Sequence, residues 1–360
     1  MRLLQRVRES GLNRLRTGTI GLALMLLCWP LLLRAEQVAQ LYTATVPVAD
    51  QASATLAKVS RAALSEVLVK VTGSEEVLRN QAISAALGEA RGAVQQYTYE
   101  RGEPPERALQ ARIEFDRGWV TSLVIEAGVP LWTANRPAVL VWLVEDGPQG
   151  HQLVGADTAP ALVAELRAAF ARRGIPLQLP LLDLVDAAAL PPQDAWRLDA
   201  AAIRAASARY NVQAVLAGRV AGLSTGGVAG DWLFLLGEER QGSVLTETDA
   251  AAFIGAGAAM VAETMAARYA VTATAGDGEG IPMTISGVGS YADYAAVLAW
   301  LESLELIERA EVERVRGEQL QLRLVAQVDA AQLATMLELN KRLLPVAPGP
   351  GQGLNYQWQH

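Results

Sequence analysis

The chemistry open to this chain is limited by what it carries: two histidines, one cysteine and 38 carboxylates in 360 residues. A serine or cysteine nucleophile needs a base beside it, most often histidine. His151 stands in a segment read as a loop, and His360 in the last segment. Cys28 falls inside an apolar run, preceded by Leu27 where a lipidation site wants a small residue. A histidine-based or zinc centre is close to excluded, and no catalytic, cofactor-binding or metal-ligating residue is expected. Carboxylates remain. Asp183 and Asp186, in LLDLVD, fall at the end of an expected strand, where α/β sheets place ligands, and Glu145 follows the strand 138–144. These three are the candidate lining of an acidic pocket, with perturbed acids as its signature. Acids at strand ends are also common as solvated loop residues.

Three glycine motifs need context before they mean anything. Gly222-Leu-Ser-Thr-Gly226 matches a nucleophile elbow, which works only on a strand-to-helix turn. Here more glycines and a strand near Trp232 follow, so a hairpin loop is expected. Gly287-Val-Gly-Ser-Tyr-Ala292 follows a strand and opens a helix, as a dinucleotide fingerprint does, but its unit is too small for a Rossmann sheet. Gly276-Asp-Gly-Glu-Gly280 lacks the converging oxygens of a calcium loop and reads as a linker. Most tryptophans sit among apolar residues as core anchors. Trp132 and Trp232 border turns and are candidates for a recognition surface. Tyr356 and Trp358, in the segment 347–360, could dock in a partner's groove or strand edge if that segment is an unfolded tail.

The elements that would position these residues form a multi-domain α+β/α/β chain. Residues 36–132 read β-α-α-β-β-α: the helix over 56–71 keeps its apolar residues at 3.6-residue spacing and Gly73 stops it. Residues 136–274 read as a central α/β unit on a mixed sheet. It starts at the continuously apolar strand 138–144, the pattern of a strand buried on both faces, and passes through an expected strand at 175–184 and a helix at 194–210. Residues 281–346 spell β-α-β-β-α-β, the ferredoxin-like order, with the last strand near 343–346. Residues 347–360 carry few apolar side chains and are expected to be disordered. The seam between the first two units is Pro130–Asp146, PLWTANRPAVLVWLVED.

The first 35 residues carry six arginines and one glutamate, with an apolar run over 19–33. That is the layout of a secretory signal, cleaved after Ala35. An uncleaved anchor is the alternative, although about 15 apolar residues fall short of the ~20 that span a bilayer. The location expected is the periplasm, or the inner membrane with the protein facing the periplasm. Without that segment, which is +5, the remaining chain carries −12, which argues against nucleic acid as a partner.

The succession VSRAALSEVLVKVTGS, AVQQYTYE, ARIEFDRGWVTSLVIEAGVPLW and NRPAVLVWLVED resembles a proteobacterial envelope family known only as a domain of unknown function (family twenty sixty-six). The resemblance covers most of residues 36–270, and Trp132, Arg136 and Pro137 carry its signature. It implies an exported protein of this architecture and brings no catalytic residues. The function expected is a non-catalytic binding or assembly module that acts on another envelope protein. An enzyme or small-ligand binder using the carboxylates of the central unit is the alternative.

Overall fold

The computed structural model describes residues 40–101, 109–273, 280–339, 342–346 and 353–359, which belong to one compact unit. Its first sheet holds β1 (Thr43–Pro47), β2 (Val94–Arg101) and β3 (Leu109–Phe115) in the order β1-β3-β2, all antiparallel. Against it lies α1 (Ser53–Thr72), whose buried Leu56, Ala63, Leu64, Val67, Leu68 and Val71 follow the helical period. Gly73 ends it in the left-handed conformation. A short α2 (Gln81–Ala86) lies between two 3-10 turns, and Asp116 caps α3 (Arg117–Glu126).

The central sheet has the order β5-β4-β7-β8-β9, from β4 (Val139–Gly147), β5 (Gly150–Leu153), β7 (Ala214–Gly222), β8 (Val228–Leu236) and β9 (Glu239–Glu247). β4 pairs in parallel with β7 and with the short β6 (Leu177–Gln178). The expected strand over 175–184 shrinks to those two residues, because Pro176 and Pro180 on either side have no N–H to give a ladder. One face carries α4 (Pro160–Arg172) and α8 (Ala250–Tyr269); the other carries α5 (Leu184–Ala189), α6 (Pro192–Trp196) and α7 (Ala200–Ser207). The single helix expected over 194–210 is broken: Leu198 turns left-handed and Asp199 caps a new start at α7.

α8 is long and apolar enough to cross a bilayer, but it is the core helix of this sheet. It approaches closely where Trp232 lies between Gly218 and Gly257. A Cβ at either glycine would stand 2.2 or 2.6 Å from the indole. The indole stacks on Phe253 at 4.8 Å and donates to its carbonyl at 3.0 Å. On the opposite face, buried Trp142 donates to the Ser207 hydroxyl at 3.0 Å.

The third sheet has the order β11-β12-β10-β14-β13, from β10 (Ile281–Ser286), β11 (Ile307–Arg316), β12 (Gln319–Ala326), β13 (Leu343–Pro345) and β14 (Leu354–Trp358). Helices α9 (Tyr291–Glu302) and α10 (Ala330–Glu338) make the two crossovers. β12 lies antiparallel between β10 and β11, as the ferredoxin-like order requires. The departure is at the other edge. The disordered tail expected over 347–360 is corrected over 354–358: β14 inserts in parallel beside β10 and pushes β13 to the rim. Leu354, Tyr356 and Trp358 alternate with polar residues, and Tyr356 and Trp358 are buried. That period-2 pattern is enough to place a strand on an open sheet edge. Apolar residues of the first and third sheets share one continuous core.

The three sheets meet at Leu131–Arg136. Leu131 exchanges hydrogen bonds with Val271 of the central unit, and Trp132 N–H donates to Val71 of the first at 2.7 Å. Ala134 N–H donates to Glu305 Oε1 at 3.2 Å, and the Asn135 amide to the Met336 carbonyl, both in the third. Arg136 is buried and lies 3.7 Å over the Trp132 ring. It donates five hydrogen bonds, all to backbone carbonyls, those of Thr133, Arg173, Gly174, Lys70 and Trp132. Burial pushes its pKa down to about 9 while Glu305 pulls the other way, so it remains a cation at neutral pH.

Replacing Arg136 with Met should cost at least about 3 kcal/mol in denaturant melts, since buried carbonyls left bare cost ~1–3 kcal/mol each. A loss below ~1 kcal/mol would show that the seam depends on something else. Trp142→Ala, which removes a buried indole, should cost about 3–5 kcal/mol in the same assay.

Candidate functional site

Two of the three candidate carboxylates, Asp183 and Asp186, lock a loop. Asp183 caps α5, accepting from the N–H groups of Val185 and Asp186 at 3.0 Å each. Its two oxygens also take Arg209 in a fork, at 2.7 and 3.0 Å. Asp186 is wholly buried and accepts from Arg209 at 2.9 Å, from the Tyr210 hydroxyl at 2.5 Å and from Leu182 N–H at 2.8 Å. The Tyr210 oxygen in turn accepts from Leu181 N–H at 2.9 Å. A buried carboxylate is tolerated when its lone pairs are filled and a cation stands beside it, and here both hold.

The electrostatics follow from these contacts. The hydrogen bond from Arg209, followed by that from Asp186 N–H, holds the Asp183 carboxyl down at about 2. Burial, then the bond to Asp186, pushes the Tyr210 hydroxyl up to about 12. Neither group titrates near neutrality, so neither is poised for proton transfer there. Glu145, half-buried on β4 opposite Gln152 and Val220, makes no hydrogen bond or ion pair to Asp183 or Asp186 among the described residues. The acidic pocket is corrected accordingly, because its deepest member has no surface to offer a ligand.

The other candidates are also redirected. Trp132 and Trp232 are fully buried, each as an anchor between elements, and present no recognition surface. Tyr356 and Trp358 are held in β14, and Trp358 lies 6.3 Å from the ring of Trp300. The glycine motif at 222–226 is the hairpin loop between β7 and β8, as its context indicates. The one at 287–292 leads into α9, which Ser290 caps, from a sheet whose β10–β12 pairing is antiparallel. The linker at 276–280 and His360 fall mostly or wholly outside the described residues. His151 stacks on Trp196 at 4.1 Å. Among the described residues, no group of three or more His, Cys, Asp or Glu side chains is placed to hold a metal ion.

What the locked loop displays is the notable feature. Leu181, Leu184 and Val185 are 70%, 89% and 58% exposed, three aliphatic side chains within five residues. Between them Leu182 adopts a left-handed backbone at φ 53, uncommon for a leucine, and turns inward against Gly155. Strain of that kind persists where surrounding contacts over-determine it. A buried polar network fixes the backbone so that one leucine packs and its neighbours face solvent. Sequence reasoning found the acids but missed Arg209 and Tyr210, which lie more than twenty residues downstream with no local periodicity to link them.

Residues 35–133 match the family described as Domain of unknown function (DUF8605). The match ends at the seam, so it covers the first sheet and its helices and leaves the other two units outside. The expectation of an uncharacterised domain family holds at that level. No curated protein matches the chain.

The Asp183 carboxyl should titrate near 2 in a carbon-detected NMR experiment, and Arg209→Ala should return it toward the ordinary ~3.9 of an aspartate. Its folded pKa is depressed, so its contribution to stability is present above about 4 and lost as pH falls toward 2. A midpoint near 4 in the unaltered protein would contradict the Arg209 fork.

Proposed function

We propose that this chain is an exported cell-envelope protein that works by docking on another envelope protein, with no catalysis of its own. The observation that carries the docking is the knob Leu181–Val185. Exposed aliphatic clusters are kept small on soluble proteins unless they meet something. Here the cluster is held rigid by four buried or half-buried polar contacts and a strained leucine, which lowers the entropic cost of binding. The partner suited to it offers an apolar pocket with a basic rim, because the chain from residue 36 onward carries −12 and Asp157 lies exposed next to the Gly155 turn. Export is supported by the arginine-rich segment and apolar run of the first 35 residues, as a cleaved leader or as an anchor on the inner membrane. Assignment to the proteobacterial family twenty sixty-six belongs to the same proposal and rests on the signature Trp132, Arg136 and Pro137.

A photo-crosslinking residue placed at 184 or 181 in living cells should give one discrete adduct with an envelope protein. The same residue at Tyr291, equally exposed on α9, should not. Leu184→Glu should abolish an adduct formed from position 181 while changing stability by less than about 0.5 kcal/mol, as for an open surface site. No adduct, or an equal one from Tyr291, would overturn the docking proposal.

A further inference from the structure

We infer that the cleft between the first turn of α7 and the β8–β9 hairpin binds a small molecule with a phosphoryl head and a short apolar tail. This inference is independent of the docking knob. The cleft has a volume of about 740 Å³, and three arginines line it: Arg197, Arg204 and Arg240. Three cations around one concavity are out of keeping with a body of charge −12.

Their partners leave part of that charge uncompensated. Arg204 donates to the carbonyls of Gly237 and Glu238 at 3.0 and 3.3 Å, which fix its position without neutralising it. Among the described residues Arg197 pairs only with Asp194, at 3.0 Å and largely in solvent, where such a pair is weak. Arg240 has no hydrogen bond or ion pair among the described residues. The one carboxylate in the lining, Asp199, is turned to the N–H of Ala202 at 2.8 Å as the helix cap. A guanidinium suits a phosphoryl group because its planar fork gives two parallel hydrogen bonds.

The strand alternation of β9 decides which side chains face this way. Glu239 and Gln241 reach Arg268 and Thr264 of α8, on one face of the sheet. Arg240 and Gly242 therefore face the other side, toward α7. Gly242 lies opposite Leu233 in the ladder and leaves the space above that leucine open. Leu233, Leu198, Ala200 and Ala201 form the apolar part of the lining. A Cβ at Gly242 would meet only the Trp232 carbonyl oxygen, at 3.6 Å, an ordinary contact, so the backbone does not demand glycine there. The cationic rim selects the head, and the apolar floor takes the tail.

The test is calorimetric titration of the full chain with hexyl phosphate, and with inorganic phosphate as the arm that lacks a tail. Hexyl phosphate should bind at least tenfold more tightly than inorganic phosphate, shifting the amide resonances of Ala200, Ala201, Leu233 and Gly242. Arg240→Glu should weaken it at least tenfold. Gly242→Leu, which fills the cleft without changing its charge, should do the same with an unaltered melting temperature. Equal affinity for the two anions would overturn the apolar half of the inference. Binding that survives both substitutions, or no binding at millimolar hexyl phosphate, would overturn the site.

Discussion

The fold depends on one buried cation whose direct hydrogen bonds all go to backbone dipoles, with Glu305 adding a favourable charge. Arg136 sits where the last carbonyls of two helices converge, with Lys70 from the final turn of α1 and Arg173 and Gly174 just past α4. A helix C-terminus leaves several carbonyls without partners and carries partial negative charge. One guanidinium with five donors supplies both ends at once and lies on the face of Trp132 as it does so. An ammonium has three donors and no plane to stack, so lysine could not reproduce the arrangement. The first helix and the central unit are thereby oriented by a single side chain.

The residues just before Arg136 extend the same constraint. Trp132, Ala134 and Asn135 each hydrogen-bond to a different element, so a short linker is used as a three-way joint. The first and third units also share a continuous apolar core. Units joined this way do not move as beads on a string, because separating them would expose both that core and the carbonyls that Arg136 covers. The central sheet has its own two cores, one beneath α4 and α8 and one beneath α5 to α7. The candidate loop and the arginine-lined cleft both lie on the second of these faces.

Much of this was legible in residue order. The helical period of Leu56 to Val71 and the left-handed stop at Gly73 define α1, and the apolar run at 139–144 defines the central strand. The glycines after Gly222 mark the β7–β8 hairpin. Local signals failed where distant partners decide the outcome. Leu181 and Leu184 have the composition of core residues, and the bond from Arg209 to Asp183, with the Leu181 N–H bond that the Tyr210 hydroxyl accepts, holds that backbone outward. The 354–358 segment alternates like a strand, but five residues preceded by a glycine- and proline-rich stretch carry too little apolar surface to announce themselves. The open edge of β10 makes it a strand. Asp186 looks like a solvated loop acid until its cation, 23 residues away, is known.

The place of β14 has a consequence for how the chain is made. β10 is the middle of the third sheet, yet the strand that completes one of its sides lies about 70 residues later, as the bond from Ser286 to Tyr356 shows. On the ribosome, β10 to β12 and both crossover helices emerge first, with one row of backbone donors and acceptors still unpaired. An unpaired edge of that kind invites the wrong strand. The unit therefore passes through a vulnerable interval in synthesis, closed only when Leu354–Trp358 pairs beside β10.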